Sequence, residues 1–319
     1  MNLLYCGLLY DYGQPEQGYS YEYYNLESGL LECQKQDLIR LSIFHPDAEI
    51  LAYGKSETAR DLKTIIDENK IDMIFDCMFD DNLCPDLDVL KYAKNKGIKV
   101  LGFCPDCSWR QDFLLSRKPY YSHFITTHSK TVDWFHQNDM KVISSQWGCS
   151  PSYTRKEDRK YLYDVSFVGQ KHSIRGELIH ALNSAGIKVD IWGKYWEGQP
   201  DYHGYADFKE MVDIFNYSKI NLNLSNPFRT GSMPQIKGRA FELPACGAFQ
   251  LTTPADNIEF YFEPNKEIVI VNDMYEMAHK IFYYLKHEDE REEIALNGYK
   301  RAMKDHTWGS RFKEILSSL

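Results

Sequence analysis

Several protein classes are excluded by what this sequence lacks. Its 319 residues contain no hydrophobic run long enough to cross a bilayer, and the opening segment, MNLLYCGLLYDYG, lacks the basic region of a signal peptide. Basic residues are also scarce, with 37 Lys and Arg against 46 Asp and Glu and a net charge of −9. This acidic balance argues against nucleic acid as a partner. We therefore expect a cytoplasmic protein, with peripheral membrane contact left open.

The cysteines lack the spacing of a disulfide framework or a zinc site. Eight are scattered through the chain, which favours reduced, buried thiols. Cys104 and Cys107 form a lone CxxC pair with no second pair at zinc-binding spacing, so we expect neither a metal nor a redox role. No acidic pair of the DxD type stands at a predicted strand end. Asp80 and Asp81 come nearest, and we predict that they form a solvated loop pair.

What the chain does have is a globular composition and a regular alternation of predicted strands and helices. Hydrophobic residues make up 43% and charged residues 26%, and the length suits two domains of ordinary size. Residues 38–44 fit either a strand or the end of the preceding helix. The other predicted strands of the first half are residues 2–9, 71–78, 99–104, 122–127 and 142–147, and its predicted helices are residues 21–35, 58–69, 87–96 and 130–139.

A second alternating series follows a polar, charged segment, residues 150–160, which we interpret as an interdomain linker. Strands that alternate with helices in this way predict βαβ units and parallel sheets. The predicted fold class is therefore α/β, with two similar halves that each have their own sheet and leave a cleft between them. The predicted strands of the second half are residues 164–168, 189–192, 220–224, 249–252 and 268–271, and helices are predicted at residues 174–185 and 208–217 and, with breaks, over residues 274–319.

The stretch QIKGRAFELPACGAFQLTT combines features of a site for a phosphorylated ligand. Lys237 and Arg239 follow a loop that contains Gly231 and Ser232, and Glu242 lies three residues after Arg239 on the same helix face. Loop amides and cations at the start of a helix attract an anion, while a carboxylate accepts hydrogen bonds from ribose hydroxyls. The alternative is a surface ion pair of small energetic value. The adjoining loop favours the first interpretation, so we predict a donor nucleotide site here.

The second half begins with a predicted strand, a glycine turn and a helix, in the sequence YDVSFVGQKHSIRGELI. Gly169 allows the backbone to approach a ligand closely, and Lys171 and Arg175 can reach a diphosphate. The alternative is an ordinary turn with solvent-facing cations. Tyr205, in a later loop, either lies against a nucleobase or packs within its own loop.

The first half has its own candidate residues near predicted strand ends. Asp106 follows a strand and either positions or deprotonates an acceptor hydroxyl or caps the next helix. Trp109 lies close by in the sequence. His128 comes just after the next strand, where a capping or loop role is the alternative to ligand contact. Asp11 and Tyr12, in the loop after the first strand, complete the predicted acceptor-binding residues.

Several longer segments occur in a recognisable order. In the second half they are FVGQKHSIRGELI, HGYADFKEMVDIFNYSKINLNLS, KGRAFELPACGAFQLT and REEIALNGYKRAMKDHTW, and in the first half GIKVLGFCPDCSWR and YYSHFITTHSKTVDWF. Together these segments resemble the spore-maturation glycosyltransferase family, which belongs to the group 1 glycosyltransferases of the GT-B fold. The resemblance covers most of the chain and is strongest over its second half.

The resemblance implies two Rossmann-like domains, with a nucleotide sugar held mainly by the C-terminal one. It implies an acceptor domain over residues 1–150 and a donor domain over residues 161–305. It also implies that a C-terminal helix, residues 306–319, packs back on the first domain. Glu242 occupies the position of the family's ribose-binding glutamate.

The chain departs from related retaining enzymes at two positions. Pro234 stands where a second glutamate is common, and Asp106 is the ionisable residue nearest to a position where a histidine is common. We expect a metal-independent, retaining transfer of a sugar from a UDP- or GDP-linked donor to a hydroxyl of a saccharide, lipid-linked or other acceptor, without a cofactor. Lys171, Arg175 and Arg239 are expected to stabilise the departing diphosphate.

Two other functions share the expected architecture. A nucleotide-sugar epimerase would interconvert the donor sugar without an acceptor. A non-catalytic nucleotide-sugar-binding protein would bind the donor without turnover.

Overall fold

The chain folds into two compact units. The computed structural model describes residues 1–80, 83–105, 107–225 and 234–319. Unit 1 comprises Met1–Gln146, Ser150–Ser152 and Trp308–Leu319, and unit 2 comprises Trp147–Cys149 and Tyr153–Thr307. Most of the predicted linker thus belongs to unit 2, because the Arg159 guanidinium donates hydrogen bonds to the carbonyl oxygens of Cys246, at 2.8 Å, and Gly247, at 2.6 Å.

Unit 1 is built on a parallel sheet. Its strands are β1 (Asn2–Cys6), β2 (Arg40–Phe44), β3 (Met73–Cys77), β4 (Lys99–Cys104), β5 (His123–Thr126) and β6 (Val142–Ser144). They lie in the order β2-β1-β3-β4-β5-β6. Every residue of β3 is buried, as expected for a parallel strand covered on both faces. The direction of the crossovers reverses at β1, because β2 lies on one side of it and β3 on the other.

The helices of unit 1 follow the predicted alternation with two additions. They are α1 (Ser28–Lys35), α2 (Pro46–Tyr53), α3 (Lys55–Glu68), α4 (Leu87–Asn95), α5 (Gln111–Arg117) and α6 (Val132–Gln137). Residues 38–44, which fit either a strand or a helix end in the sequence, contain the strand β2. Neither α2 nor α5 was predicted from the sequence. A π-helical turn, Tyr23–Glu27, precedes α1 within the helix predicted at residues 21–35.

Unit 2 repeats this architecture. Its strands are β7 (Tyr163–Val168), β8 (Asp190–Trp192), β9 (Ser218–Asn223), β10 (Gln250–Thr252) and β11 (Val269–Ile270), and its helices are α7 (Arg175–Ser184), α8 (Phe208–Tyr217), α9 (Arg239–Ala245), α10 (Met274–Lys286) and α11 (Glu288–Asp305). The strands lie parallel in the order β11-β10-β9-β7-β8. The crossovers therefore reverse at β7, between β8 and β9. Two parallel sheets in two Rossmann-like units confirm the predicted α/β class.

The last helix, α12 (Trp308–Ser317), is part of unit 1, as the resemblance implied. Its buried apolar residues Trp308, Phe312 and Ile315 recur at helical spacing. The Trp308 ring packs edge-on against Phe103, with ring centroids 5.6 Å apart. A Cβ atom on Gly29 of α1 would lie 2.2 Å from the Cβ of Trp308, so this close helix packing requires glycine.

Among the helices of the described residues, none combines the length and apolar character needed to cross a bilayer.

Candidate functional site

The candidate site lies at the carboxyl edge of the sheet in unit 2, where β7 and β9 are neighbours. In open α/β sheets, ligands bind outside the carboxyl ends of the strands at the point where the crossovers reverse. The predicted residues Gly169, Lys171 and Arg175 follow the end of β7, and Arg239 reaches the same place from α9, because its guanidinium donates a hydrogen bond to the carbonyl oxygen of Val168. The structure thus brings together two segments that are far apart in the sequence.

The turn after β7 is held by the loop that follows β8. The Gly169 amide donates to the carbonyl oxygen of Trp192 at 2.8 Å, and the Trp196 indole donates to the carbonyl oxygen of Gly169 at 2.7 Å. Gly193 has a φ of +129°, and a Cβ atom there would lie 2.2 Å from the Gly169 oxygen. Only glycine allows the two loops to approach so closely, which fixes the backbone of the turn.

Arg175 connects the ends of the two central strands. Its guanidinium donates to the carbonyl oxygens of Gln170, at 3.0 Å, and Leu224, at 2.6 Å. Burial, and then the nearby charge of Arg239, lower the pKa of Arg175 to about 9, so it stays charged at neutral pH. Two of its donor groups thus bind the backbone, and the predicted role of Arg175 at a diphosphate stays a prediction. Its Nε has no hydrogen-bond partner among the described residues.

Arg239 and Glu242 form the ion pair that their spacing predicted, but the pair is inside the protein. The Arg239 Nε lies 3.2 Å from the Glu242 Oε2, and the Glu242 side chain is 3% exposed. The Arg239 guanidinium also packs over the Phe215 ring, 5.0 Å from its centroid. Burial raises the pKa of Glu242, while Arg239 and a hydrogen bond from Tyr153 oppose that rise. The alternative of an exposed, weak surface pair is therefore wrong.

The helix that carries this pair, α9, is followed closely by a glycine. Pro244 lies inside its last turn, and Gly247 follows the helix with a φ of +60°. This left-handed conformation favours glycine, and a Cβ atom at Gly247 would lie 2.6 Å from the Arg159 side chain. Arg159, which donates to the last carbonyl oxygens, thereby anchors the end of α9.

Two lysines extend the positive charge around Arg175 and Arg239. Lys171 and Lys237 are both half-buried. Burial, and then the charges of Arg175 and Lys237, lower the pKa of His172 to about 4, so this imidazole is neutral at pH 7. Lys171, Arg175, Lys237 and Arg239 thus form a group of four cations at one end of the sheet. A bound anion would reduce the repulsion between them.

Tyr205 lies in the loop that follows β8. Its ring is 55% exposed, and the Lys194 ammonium lies 5.7 Å from the ring centroid. The preceding residue, Gly204, accepts a hydrogen bond from the Gly193 amide at 2.9 Å, which links this loop to the turn after β7. More than half of the side chain is thus exposed, and the role of Tyr205 stays a prediction.

Sequence reasoning missed two polar residues at the end of β9. Asn223 and Ser225 are 3% and 1% exposed, yet the Asn223 Nδ2 and the Ser225 Oγ have no hydrogen-bond partner among the described residues. Continuing the register of β7 and β9 places Asn223 opposite Val168, whose carbonyl oxygen binds Arg239. Buried polar atoms without protein partners at a strand end commonly bind a ligand or water. The polar residues inside the strand INLNLS were the only signal in the sequence.

The predicted acceptor residues of unit 1 are in different environments. Tyr12 and Trp109 are 48% and 41% exposed, and Asp11 is half-buried. His128 is 2% exposed, which argues against a direct contact with an acceptor. The burial follows from its position at the end of β5, where its carbonyl oxygen accepts a hydrogen bond from the Thr131 hydroxyl at 2.7 Å. The predictions for Asp106, Gly231 and Ser232 fall outside the described residues.

The CxxC pair is buried. The Cys107 thiol lies 3.1 Å from the hydroxyl of Thr126 and donates a hydrogen bond to the hydroxyl oxygen of Thr131 at 3.3 Å. Cys104 ends β4 and is also buried. Within the described ranges, no three His, Cys, Asp or Glu side chains are grouped so that they could hold a metal ion.

Comparison with known proteins identifies the class to which this fold and site are similar. Residues 175–317 match a family model described as "Glycosyl transferase-like". That segment begins at Arg175 and includes Arg239 and Glu242. Together with the two Rossmann-like units, the match confirms the predicted similarity to the group 1 glycosyltransferases of the GT-B fold.

One curated protein is similar in sequence over part of the chain. The spore protein CgeB of Bacillus subtilis (strain 168) is 23% identical over 171 residues, which are 47% of this chain and 52% of that protein. The matched region thus spans about half the length of this curated relative.

Two solved structures show the likeness of fold over the whole chain. Anabaena Alr3699/HepE, in complex with UDP-glucose, matches 100% of both chains with a TM-score of 0.61 and 11% identity. The sucrose-phosphate synthase of Thermosynechococcus elongatus also matches 100% of both chains, with a TM-score of 0.63 and 10% identity.

Proposed function

We propose that this chain transfers a sugar from a UDP- or GDP-linked donor to an acceptor hydroxyl without a metal ion, and that unit 2 binds the donor. The observation that carries the proposal is the set of four cations at the reversal point of unit 2, with one buried carboxylate beside them. The similarity to a structure solved with UDP-glucose supports a nucleotide-sugar donor.

The cations differ in what they can do for a departing diphosphate. Lys171 and Lys237 carry flexible ammonium groups and would neutralise the phosphate oxygens directly. Arg175 and Arg239 bind backbone carbonyl oxygens, so they would act mainly through their charge and by holding the turn after β7 in place. Gly231 and Ser232, which lie outside the described residues, are also proposed to contact the donor.

Glu242 is proposed to accept hydrogen bonds from the ribose hydroxyls. Its Oε2 is paired with Arg239, which fixes the orientation of the carboxylate. Tyr205 is proposed to stack on the nucleobase, because its ring is exposed and linked through its loop to the same turn.

Transfer with retention needs no protein nucleophile. The departing diphosphate would take the proton of the acceptor hydroxyl, and Asp106 would position that hydroxyl. The charge that develops on the diphosphate is then the quantity that the enzyme must stabilise, which fits a cationic site.

A panel of UDP, GDP and their sugar derivatives tests the proposal by thermal unfolding. A ligand that binds only the folded state raises the unfolding temperature, so we expect an increase with one of the two nucleotides. Glu242→Gln keeps the shape of the side chain and should reduce that increase. The matched control is Glu210→Gln, an exposed residue of α8. No increase with any nucleotide would contradict the proposal.

The same panel separates the alternatives. If EDTA does not change the rate at which sugar is released to water or transferred to an acceptor, the transfer is metal-independent. If the NMR spectrum of the product shows the anomeric configuration of the donor, the transfer proceeds with retention. Sugar interconversion with donor alone would instead identify an epimerase. Donor binding without any turnover would identify a binding protein.

A further inference from the structure

Unit 1 has a reversal point of its own, between β1 and β3, and Glu22 lies beside it. The Glu22 Oε1 is 3.9 Å from the Sγ of Cys77, the last residue of β3. The hydroxyl of Tyr5, in β1, donates to the Glu22 carbonyl oxygen at 3.5 Å. Glu22 therefore occupies the position in unit 1 at which open α/β sheets bind ligands.

The local backbone fixes the Glu22 side chain. The π-helical turn Tyr23–Glu27 begins immediately after it, and such turns are frequent at functional sites. The Ser20 hydroxyl accepts a hydrogen bond from the Tyr23 amide at 3.0 Å and lies within hydrogen-bonding reach of the Glu22 carboxylate. Glu22 is half-buried, so its carboxylate is held in place while part of the side chain stays accessible.

Two exposed tyrosine rings lie in the segments next to Glu22, one just before it in the chain and one next to Asp11. The Tyr19 side chain is 51% exposed and stacks on Tyr23, the neighbour of Glu22, with ring centroids 4.6 Å apart. Tyr12 is 48% exposed and has a φ of +52°, an uncommon conformation for a residue with a side chain. Its ring is held edge-on against Phe79, with centroids 5.7 Å apart. The C–H groups of a sugar ring pack well on such aromatic faces because the faces carry partial negative charge.

The charges around Glu22 select against an anionic ligand. Asp11 and Asp47, from the loop after β1 and from α2, both face Glu22, while the groups that face it from the two strands are the uncharged Cys77 and Tyr5. One cation, Arg110, lies at the end of β3, where its charge acts on Cys77 and its guanidinium donates to the carbonyl oxygens of Met78 and Phe79. Phosphate or carboxylate groups would be repelled here. Hydroxyl groups would instead donate hydrogen bonds to the carboxylate.

We propose, resting on the function proposed above, that the acceptor is an uncharged saccharide whose hydroxyl donates a hydrogen bond to Glu22 and whose ring packs on Tyr19 and Tyr12. Glu22 is thus an acceptor-binding residue that orients the saccharide, while Asp106 is the residue proposed above to position the hydroxyl that receives the sugar. No proton transfer to Glu22 is required, so the proposal is compatible with retention.

The saccharide site should depend on pH. Burial is the main cause that raises the pKa of Glu22 to about 7, and the charges of Asp11 and Asp47 add to it. Above that pH the ionised carboxylate accepts hydrogen bonds with both oxygens, whereas below it the protonated group is a poorer acceptor. Saccharide binding should therefore strengthen as the pH rises through 7.

An array of neutral, phosphorylated and sialylated glycans, probed with the full-length protein, tests the proposal. We expect retention on neutral glycans and none on the anionic ones. For the neutral glycan retained most strongly, Glu22→Gln should weaken binding about tenfold at pH 8.5 and much less at pH 6, because only the ionised carboxylate is a strong acceptor. Tyr19→Ala should weaken binding at both pH values.

Two matched controls isolate these effects. Glu16→Gln changes the same charge at an exposed position in the same segment, and Tyr275→Ala removes a ring that is 88% exposed in unit 2. Both should bind like the unaltered protein. A preference for anionic glycans, no retained neutral glycan, or equal behaviour of Glu22→Gln and Glu16→Gln would overturn the proposal.

Nucleotide binding, measured in parallel, distinguishes the two proposals. If UDP or GDP raises the unfolding temperature but no neutral glycan binds, the acceptor proposal fails and the donor site stands. If neutral glycans bind and no nucleotide does, unit 1 has a saccharide site and the proposed transfer reaction fails.

Discussion

The two units have the same order of their first five strands, but opposite charges where that order reverses. In unit 2, Arg175 and Arg239 bind the ends of β7 and β9, with Lys171 and Lys237 nearby. In unit 1, the residue beside β1 and β3 is Glu22, and the charged groups that face it are acidic. The fold thus provides the same position twice, and the side chains determine which ligand each position can bind.

The two units also differ in how the charge is balanced. The buried carboxylate of unit 2, Glu242, is paired with Arg239. Glu22 is instead surrounded by uncharged groups and by other carboxylates, which is why its pKa rises to about 7. Burial raises the pKa of both carboxylates, so both cost the folded state stability when they are ionised. Arg239 offsets part of that cost at Glu242, whereas the charges of Asp11 and Asp47 add to it at Glu22.

The largest effect is expected from breaking the buried pair of unit 2. Arg239→Met leaves the Glu242 carboxylate buried without its cation, which should lower the free energy of unfolding by about 3–5 kcal/mol at pH 8. The loss should be smaller at pH 5, where Glu242 can bind a proton. Urea unfolding at the two pH values measures both quantities.

Arg60→Met is the matched control for that prediction. Arg60 pairs with Glu57 at the same spacing, but the two side chains are 69% and 41% exposed, so the loss should stay below about 1 kcal/mol. Equal losses for the two variants would show that the Arg239 pair is not energetically distinct from a surface pair.

A smaller effect, on binding alone, is expected from the lysines of unit 2. Lys171→Ala and Lys237→Ala should each weaken UDP or GDP binding about tenfold, because each removes a charged hydrogen-bond donor to the diphosphate. Isothermal titration calorimetry measures the affinity. Lys209→Ala, at an exposed position of α8, should have no effect. If all three variants bind the nucleotide equally, the cationic end of unit 2 is not the diphosphate site.

Much of the fold could be predicted because local signals agree with the tertiary structure. The bounds of β4 and α8 match the prediction, since β4 is a continuous apolar run and Asp207 caps α8 by accepting a hydrogen bond from the Glu210 amide. The sequence of α2, PDAEILAY, leaves Leu51 and Tyr53 66% and 65% exposed, so it has no clear apolar face to predict a helix from.

The site could be predicted only where its residues are close in sequence. The spacing of Arg239 and Glu242 predicted their pair, but its burial depends on Phe215 and Val168, which come from other elements. Glu22 carries no local signal at all, because its significance depends on the order of strands across the sheet.

The smallest effect concerns the stability that the folded chain loses when the Glu22 carboxylate of unit 1 ionises. Glu22 ionises at about pH 7 in the folded chain and at a lower pH in the unfolded chain, so between these values the folded state binds more protons and stability falls as the pH rises. Glu22→Gln removes this loss, and it should raise the unfolding temperature by about 2–4 °C at pH 8.5 and by less at pH 5. Glu16→Gln, at an exposed position, should change neither value. A Glu22→Gln variant that is less stable than the unaltered protein at pH 8.5 would show that unit 1 holds this carboxylate as favourably as unit 2 holds Glu242, and the contrast between the two units would then be lost.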